Sequence, residues 1–177
     1  MKSITFITGN LDKVTWTQRY IHIPVEHKKL DLIEIQSLDS REVVEHKVRQ
    51  AYDILKKPVL VEDTSLVINA WGKLPGTFIK YFFEELGNEG ICTMLTAPDR
   101  SAVAKVVYGV YDGKKLHFFE GALEGTIPMH PQGKSGFGWN PIFIPKGYDK
   151  TYAQMTKEEL DETNIRRIAL EKMKKEL

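Results

Sequence analysis

Apolar residues recur along the chain in two patterns, short runs typical of strands and longer stretches with helical spacing. The run 59–61 contains only branched aliphatic residues and follows a proline, which is typical of a buried strand covered on both faces of its sheet. In the stretch 38–57 apolar side chains recur every three or four residues, which predicts a helix that packs on the core. The same patterns predict further strands at 4–8, 28–36, 66–71, 102–111, 116–122 and 141–145, and further helices at 10–20, 77–86 and 156–177.

Two adjacent acids follow the buried strand at 59–61. Glu62 and Asp63 come where this strand is predicted to leave the core, and in open α/β sheets ligands gather at the carboxyl ends of strands. Acids in that position are candidates for metal binding and for general-base catalysis. The alternative is that both acids only cap the next turn.

The first predicted strand ends in a turn whose composition suits phosphate binding. Thr8 and Gly9 lead into a helix that begins near Asn10, and Lys13 follows one turn later. A glycine lets the backbone approach a ligand, a helix N-terminus offers free N–H groups, and a lysine adds a cation. The turn is not a Walker A loop, because the Gly-x-x-x-x-Gly-Lys run is absent from the sequence. The alternative is an ordinary strand-to-helix turn with a solvated lysine.

Two single charges stand out elsewhere in the predicted elements. Glu34 interrupts the apolar residues of the predicted strand 28–36, so its side chain faces either solvent or a site. Lys80 lies one turn into the predicted helix 77–86 and is a second candidate for an anion contact, although a surface lysine is the usual case.

The segment 133–141 combines three glycines with Phe137 and Trp139 and closes with Asn140 and Pro141. Glycines let a loop fold closely against a flat ligand, and aromatic rings offer faces on which a base stacks. Such stacking contributes roughly 1–3 kcal/mol per base. The alternative is a surface loop whose aromatic rings pack back onto the core.

Composition narrows the class of protein. The 177 residues are 42% apolar and 28% charged with a net charge of +1, which predicts one domain and neither a nucleic-acid nor a membrane partner. Cys92 is the only cysteine of the sequence, so an internal disulfide cannot form, which fits a cytoplasmic protein. The N-terminal apolar run is too short for a signal peptide, and no stretch approaches the roughly 20 apolar residues of a membrane span.

Taken together, the motifs resemble the inosine triphosphate pyrophosphatase family, which acts on non-standard purine nucleotides. The resemblance covers nearly the whole chain, with the motifs in a consistent order. The matching segments are Thr8-Gly9-Asn10 with Lys13, Glu34-Ile35-Gln36, Val61-Glu62-Asp63-Thr64-Ser65-Leu66, Leu74-Pro75-Gly76 with Lys80, and Phe137-Gly138-Trp139.

The resemblance implies an α/β fold with an elongated central mixed sheet, flanking helices and two lobes with a cleft between them. It implies a homodimer that requires Mg²⁺ and hydrolyses nucleoside triphosphates such as ITP, dITP and XTP to monophosphate and pyrophosphate, thereby cleaning the nucleotide pool. The residues implied to hold the phosphates are Thr8, Asn10, Lys13 and Lys80. The residues implied to bind Mg²⁺ are Glu34, Asp63 and Glu62, with Asp63 also implied to orient or deprotonate the attacking water. The residues implied to contact the base are Phe137, Trp139, Asn140, Asn164 and Arg166.

The residues at the positions implied to recognise the base differ from the family pattern. Asn140 stands where the family usually has aspartate, and Leu160 where it has lysine. The family triplet Ser-His-Arg is replaced by Asn164-Ile165-Arg166, so that only the arginine is kept. Polar contacts to a base supply strong discrimination, so their loss predicts relaxed or redirected selectivity, towards a standard dNTP or a purine modified at position 6. A nucleotide-binding protein without turnover is a further hypothesis, which the retained Glu34, Asp63 and Lys13 disfavour.

Overall fold

The computed structural model describes residues 2–136 and 138–177, apart from the side chain of Asp12. The helices are α1 Leu11–Tyr20, α2 Ser40–Leu55, α3 Ile79–Met94, α4 Lys157–Glu162 and α5 Ile165–Glu176. The strands are β1 Ile4–Ile7, β2 Val25–Lys28, β3 Val59–Ile68, β4 Pro75–Gly76, β5 Ser101–Tyr111, β6 Leu116–Thr126 and β7 Ile144–Pro145.

The strands form one mixed sheet in the order β2-β1-β3-β5-β6-β7, with β4 paired to β3. β1 runs parallel to β2 and β3, whereas β4 and β7 run antiparallel to their neighbours. The predicted α/β class with a central mixed sheet and flanking helices is therefore confirmed. In the described part of the chain, every helix is too short or too polar to cross a membrane.

The chain divides into two compact units, and the division falls within β3, β5 and β6 and after the first residue of α5. The first unit holds the described residues up to Asp63 together with Val106–Gly121 and Arg166–Leu177. The second unit holds Thr64–Lys105 and Ala122–Ile165.

The core of the first unit confirms the predicted apolar face of α2. Val44, Val48 and Ala51 of this helix are fully buried against aliphatic residues of β3 and β5. Asp39 caps the helix by accepting a hydrogen bond from the backbone N–H of Arg41, which satisfies one of the free donors at a helix start. The strand that carries Glu62 and Asp63 and the helix α2 thus pack in one apolar cluster.

The predicted position of Glu34 within a strand is wrong. β2 ends at Lys28, and the chain from 29 to 36 has no strand geometry. The reason is pairing, because β2 is hydrogen-bonded to β1 over four residues and β1 ends at Ile7, opposite Lys28. Beyond that point the apolar residues have no strand beside them to pair with.

The predicted break after Val61 is also wrong, because β3 runs through both acids to Ile68. Leu66 and Val67 are paired with Gly76 and Pro75 of β4, and this second set of partners keeps the strand extended. Glu62 and Asp63 are therefore interior residues of a ten-residue strand rather than residues at its tip.

The remaining elements largely follow the predictions. The hairpin at Asp112-Gly113 joins β5 to β6, and the Asp112 carboxylate accepts hydrogen bonds from the backbone N–H groups of Lys114 and Lys115. α3 is interrupted at Gly87, where a helix end was predicted, and continues to Met94. The predicted helix 156–177 is divided into α4 and α5, and α4 begins with a capping box of Thr156 and Glu159, a pattern that is typical of a helix start.

Candidate active site

Glu62 is the most deeply buried acid of the first unit, with 1% of its side chain exposed. Lys13 Nζ lies 2.7 Å from Glu62 Oε1, and Arg166 Nη2 lies 2.8 Å from the same oxygen. Arg166 Nε adds contacts of 3.2 and 3.3 Å to the two carboxylate oxygens. Burial raises the pKa of Glu62, but the two cations lower it by more, so the pKa lies far below its usual range. Glu62 is therefore an ionised anchor that holds two cations.

Three distant parts of the sequence build this cluster. Lys13 is placed by α1, which begins after a turn of three residues that follows β1, so the lysine lies in the first turn of the helix. Arg166 is the second residue of α5, which is fixed by the buried Leu170 and Met173. Lys13, Arg166 and Glu62 were all predicted as site residues, but the pairing of Glu62 with the two cations was not predicted.

Asp63 follows Glu62 on β3, and consecutive strand residues project to opposite faces of a sheet. Asp63 Oδ2 is buried and has no hydrogen-bond partner among the described residues. Burial and the nearby charges of Glu34 and Glu62 raise the pKa of Asp63 to about 6, against opposing effects of Lys47 and Lys13. A carboxylate with a pKa near 6 and a free oxygen suits a general base or a cation ligand.

Lys47 is a further candidate site residue, which was not predicted from the sequence. Its Nζ lies 2.6 Å from Glu34 Oε1, and only 14% of its side chain is exposed. Lys47 also lowers the pKa of Asp63, so its positive charge acts on both Glu34 and Asp63. The signal in the sequence was a lysine on the apolar face of α2, between Val44 and Val48.

The turn after β1 is closed by its own hydrogen bonds. The Thr8 hydroxyl oxygen accepts a hydrogen bond from the Asn10 backbone N–H at 3.1 Å. The Thr8 carbonyl oxygen lies 2.7 Å from His27 Nε2 on β2. These contacts fix the backbone just before α1, and phosphate binding by Thr8, Asn10 and Lys13 stays a prediction.

The other predicted site residues belong to the second unit. Lys80 is exposed and lies 3.9 Å from Glu84 one turn along α3. Trp139 packs against Phe143 and Tyr152, with ring centroids 5.8 and 6.2 Å away, which is the packing onto the core that was the alternative for this loop. Asn140 begins a short 3₁₀ turn, and Asn164 lies between α4 and α5. Phe137 lies outside the described residues, so its predicted contact with a base stays a prediction.

The first unit offers two carboxylates to a cation. Within residues 2–136 and 138–177, no group of three or more His, Cys, Asp or Glu side chains is arranged to hold a metal ion. Glu62 is engaged by two cations, which favours an anchoring role over its predicted role as a metal ligand. Asp63 keeps a free oxygen, and Glu34 is half exposed and paired with one cation, Lys47, rather than two. Mg²⁺ commonly uses one or two carboxylates together with water and substrate phosphates. These two residues therefore fit a magnesium site completed by a bound nucleotide.

Comparison with known proteins places the chain in a family. A model of the Ham1 family matches residues 4–176. The chain belongs to the Ham1 family. The inosine triphosphate pyrophosphatase of Schizosaccharomyces pombe is 39% identical over 179 residues, which cover 98% of this chain and 94% of the relative. The inosine triphosphate pyrophosphatase of Yarrowia lipolytica is 42% identical over 178 residues, which cover 97% and 94%.

Solved structures agree with this Ham1 assignment at the level of fold. A HAM1 protein from Coxiella burnetii superposes with a TM-score of 0.89 at 24% identity, covering 99% of this chain and 98% of the other. The resemblance inferred from the sequence motifs is thus confirmed.

Proposed function

We propose that this Ham1-family chain is a Mg²⁺-dependent pyrophosphatase that hydrolyses ITP and related purine triphosphates to the monophosphate and pyrophosphate. The observation that carries the proposal is Asp63, a buried carboxylate with a free oxygen and a raised pKa, in the same unit as Lys13. Two relatives that are named for this reaction and align over nearly the whole chain support it.

The chemistry follows from the charges of the first unit. Bound Mg²⁺ would supply positive charge on the phosphates, held by Asp63 and Glu34. Asp63 accepts the proton of the attacking water through the carboxylate oxygen that has no hydrogen-bond partner among the described residues. In the metal-free chain its pKa of about 6 already leaves it ionised at neutral pH. The Lys13 ammonium, at the start of α1, stabilises the charge that develops on the pyrophosphate leaving group.

Lys47 has a specific part in this scheme, since it pairs with Glu34 and favours the ionised form of Asp63. Replacement of Lys47 by methionine is expected to lower kcat/KM by roughly a hundred-fold, as removal of one charged stabilising group does elsewhere. Because the cation lowers the pKa of Asp63, its removal raises that pKa, and the acidic limb of the pH–rate profile moves to higher pH.

The matched control for that variant is Lys57→Met, since Lys57 pairs with Glu26 at 2.5 Å in the same unit and is more exposed. The control is expected to leave both the rate and the pH profile unchanged. An acidic limb at the same pH in Lys47→Met and in the wild type would contradict the role given to Lys47.

The preferred base is proposed to be less strictly selected than the resemblance implies. Ile165 is 3% exposed and carries no hydrogen-bonding group, and Leu160 carries none either. Incubation with Mg²⁺ and a panel of ITP, dITP, XTP, ATP, GTP and dNTPs is expected to release pyrophosphate, with ITP favoured over ATP by a reduced margin. Strong exclusion of ATP and GTP would contradict relaxed selectivity.

The same panel tests the other candidates. Preference for a standard dNTP or a 6-modified purine would favour redirected selectivity, which the departures at Asn140 and Asn164 motivate. Absence of pyrophosphate from every nucleotide would contradict the proposed function and favour a binding protein. Orthophosphate without pyrophosphate would contradict cleavage at the α-phosphorus.

We further propose, from the family resemblance, that the chain works as a homodimer in the cytoplasm. Light scattering coupled to size-exclusion chromatography is expected to give twice the 20.3 kDa mass of the chain. A monomer mass at micromolar concentration would contradict the dimer.

A further inference from the structure

The Thr8 carbonyl oxygen lies where the pairing of β1 with β2 stops. The Thr8 backbone N–H still donates to the Lys28 carbonyl oxygen at 3.2 Å, which continues the parallel register of the two strands. In a strand the N–H and C=O of one residue face the same neighbour, so the Thr8 carbonyl oxygen also faces β2. In that register its backbone donor would belong to Leu30, but β2 ends at Lys28.

The His27 side chain supplies a donor in that place. Its Nε2 lies 2.7 Å from the Thr8 carbonyl oxygen, and because a carbonyl oxygen can only accept, the ring nitrogen is the donor. His27 is a residue of β2, so the pairing of β1 with β2 is lengthened by one hydrogen bond that comes from a side chain. The Thr8–Gly9 peptide is thereby held in the orientation that a longer strand would give it.

That orientation decides where the Gly9 backbone N–H points. The peptide between Thr8 and Gly9 is trans, so its N–H points opposite to its C=O and therefore away from β2. The strand on the other side of β1 is β3, which carries Glu62 and Asp63. The Gly9 N–H makes no hydrogen bond to another described residue. It is thus a free donor on the β3 side of the turn that leads to Lys13.

We propose that His27 is a positioning residue, which holds the Thr8–Gly9 peptide so that the Gly9 N–H donates to a triphosphate bound at Lys13. The inference rests on the proposed function only in placing a triphosphate at this turn. The backbone N–H of Asn10 does not replace this donor, because it already donates to the Thr8 hydroxyl oxygen at 3.1 Å. Without the His27 donor the peptide plane turns more freely, and the ligand loses a fixed hydrogen bond.

The first test compares His27→Phe with His22→Phe, the same substitution at another exposed histidine of the first unit. Two quantities are measured, the dissociation constant for inorganic tripolyphosphate with Mg²⁺ by calorimetry, and the urea midpoint of unfolding without ligand. His27→Phe is expected to weaken tripolyphosphate binding roughly ten-fold, the size typical of a lost hydrogen bond to a charged group. Its urea midpoint is expected to stay unchanged, because the bond from His27 is exposed. His22→Phe is expected to match the wild type in both.

A rescue variant separates the donor from the ring. His27→Gln keeps a side-chain N–H donor on β2 but removes the imidazole ring. It is expected to recover most of the tripolyphosphate binding that His27→Phe loses. Equal weakening in His27→Gln and His27→Phe would overturn the role given to the donor.

The second test observes the Gly9 N–H directly by nuclear magnetic resonance. The chain has 13 glycines, so ¹⁵N-glycine labelling gives a small set of amide signals, and Gly9→Ala identifies the Gly9 signal by its loss. Alanine fits at this position, since the nearest atom to its Cβ would be Lys29 Cε at 3.9 Å. Tripolyphosphate is expected to move the Gly9 amide proton signal downfield in the wild type and much less in His27→Phe.

Three further results would overturn the inference. The first is equal tripolyphosphate binding by His27→Phe and the wild type, at any urea midpoint, since His27 would then at most stabilise the fold. The second is a Gly9 signal that tripolyphosphate leaves unmoved in the wild type. The third is absence of tripolyphosphate binding by the wild type. The proposed function fails on a different result, absence of pyrophosphate release by the wild type from every nucleotide.

Discussion

Replacement of Asp63 by asparagine is expected to abolish pyrophosphate release while making the metal-free fold more stable above pH 6. The variant lacks both the base that accepts a proton from water and one carboxylate of the magnesium site. Loss of a general base alone lowers rates by roughly 10²–10⁴. We therefore expect a fall of at least about a thousand-fold in kcat, measured as pyrophosphate released from ITP.

The gain in stability follows from the direction of the pKa shift. The pKa of Asp63 is raised from 3.8 to about 6 by burial and by Glu34 and Glu62, so between these values the folded chain keeps a proton that the unfolded chain has lost. The free energy of unfolding of the wild type therefore falls as pH rises from about 4 to about 6. Above pH 6 the buried charge costs up to about 3 kcal/mol, and asparagine removes most of that cost.

Urea unfolding with a chelator at pH 4 and at pH 8 measures this effect. The two proteins are expected to agree at pH 4, and Asp63→Asn is expected to be about 2 kcal/mol more stable at pH 8. Added Mg²⁺ is expected to stabilise the wild type more than the variant. Asp53→Asn, at an exposed acid paired with Lys56, is the control and is expected to show neither effect. If Asp63→Asn is less stable than the wild type at pH 8, burial of the ionised Asp63 carboxylate does not destabilise the fold, and the expectation is contradicted.

Replacement of Glu62 by leucine is expected to be the most destabilising single change in the cluster. It leaves Lys13 and Arg166 without their shared anion, and their side chains are only 24% and 15% exposed. Removal of one partner from a buried ion pair costs about 3–5 kcal/mol. Activity is expected to fall as well, because both cations lose the carboxylate that holds them.

Two further variants separate anchoring from metal binding. The double variant Glu62→Leu with Arg166→Met is expected to recover much of the lost stability, since apolar groups often replace buried charges well, without recovering activity. Glu62→Gln is expected to keep the stabilisation by Mg²⁺ that Asp63→Asn loses. Loss of that stabilisation in Glu62→Gln would instead support Glu62 as a metal ligand. The exposed pair of Arg49 and Glu45 is the control, because Glu45→Gln is expected to cost less than about 1 kcal/mol.

Local patterns predicted those parts of the fold that depend on neighbours in sequence. The apolar face of α2, the hairpin at Asp112-Gly113 and the capping box at Thr156 all follow from residues within a few positions of each other. The lengths of β2 and β3 cannot be predicted in this way, because each strand extends only as far as a neighbouring strand pairs with it. For the same reason Glu34 was placed in a strand that ends six residues earlier.

The sequence predicted which residues belong to the candidate site, but not which of them contact each other. The motifs singled out Lys13, Glu62, Asp63 and Arg166, yet nothing local indicates that Glu62 would hold both cations. The role of Lys47 was hidden because its position in an apolar stripe is also typical of a solvated lysine at the edge of a helix. Such roles depend on distances between residues that are far apart in the sequence.

The pairing of Glu62 with Arg166 also bears on synthesis of the chain. The two residues are separated by 104 positions, so at about 5–20 residues per second the acid leaves the ribosome roughly 5–20 s before its arginine partner. During that interval β3 lacks one of the two cations that keep the acid ionised inside the first unit. A nascent chain is therefore expected to keep Glu62 hydrated, and final burial of this strand waits until α5 is made.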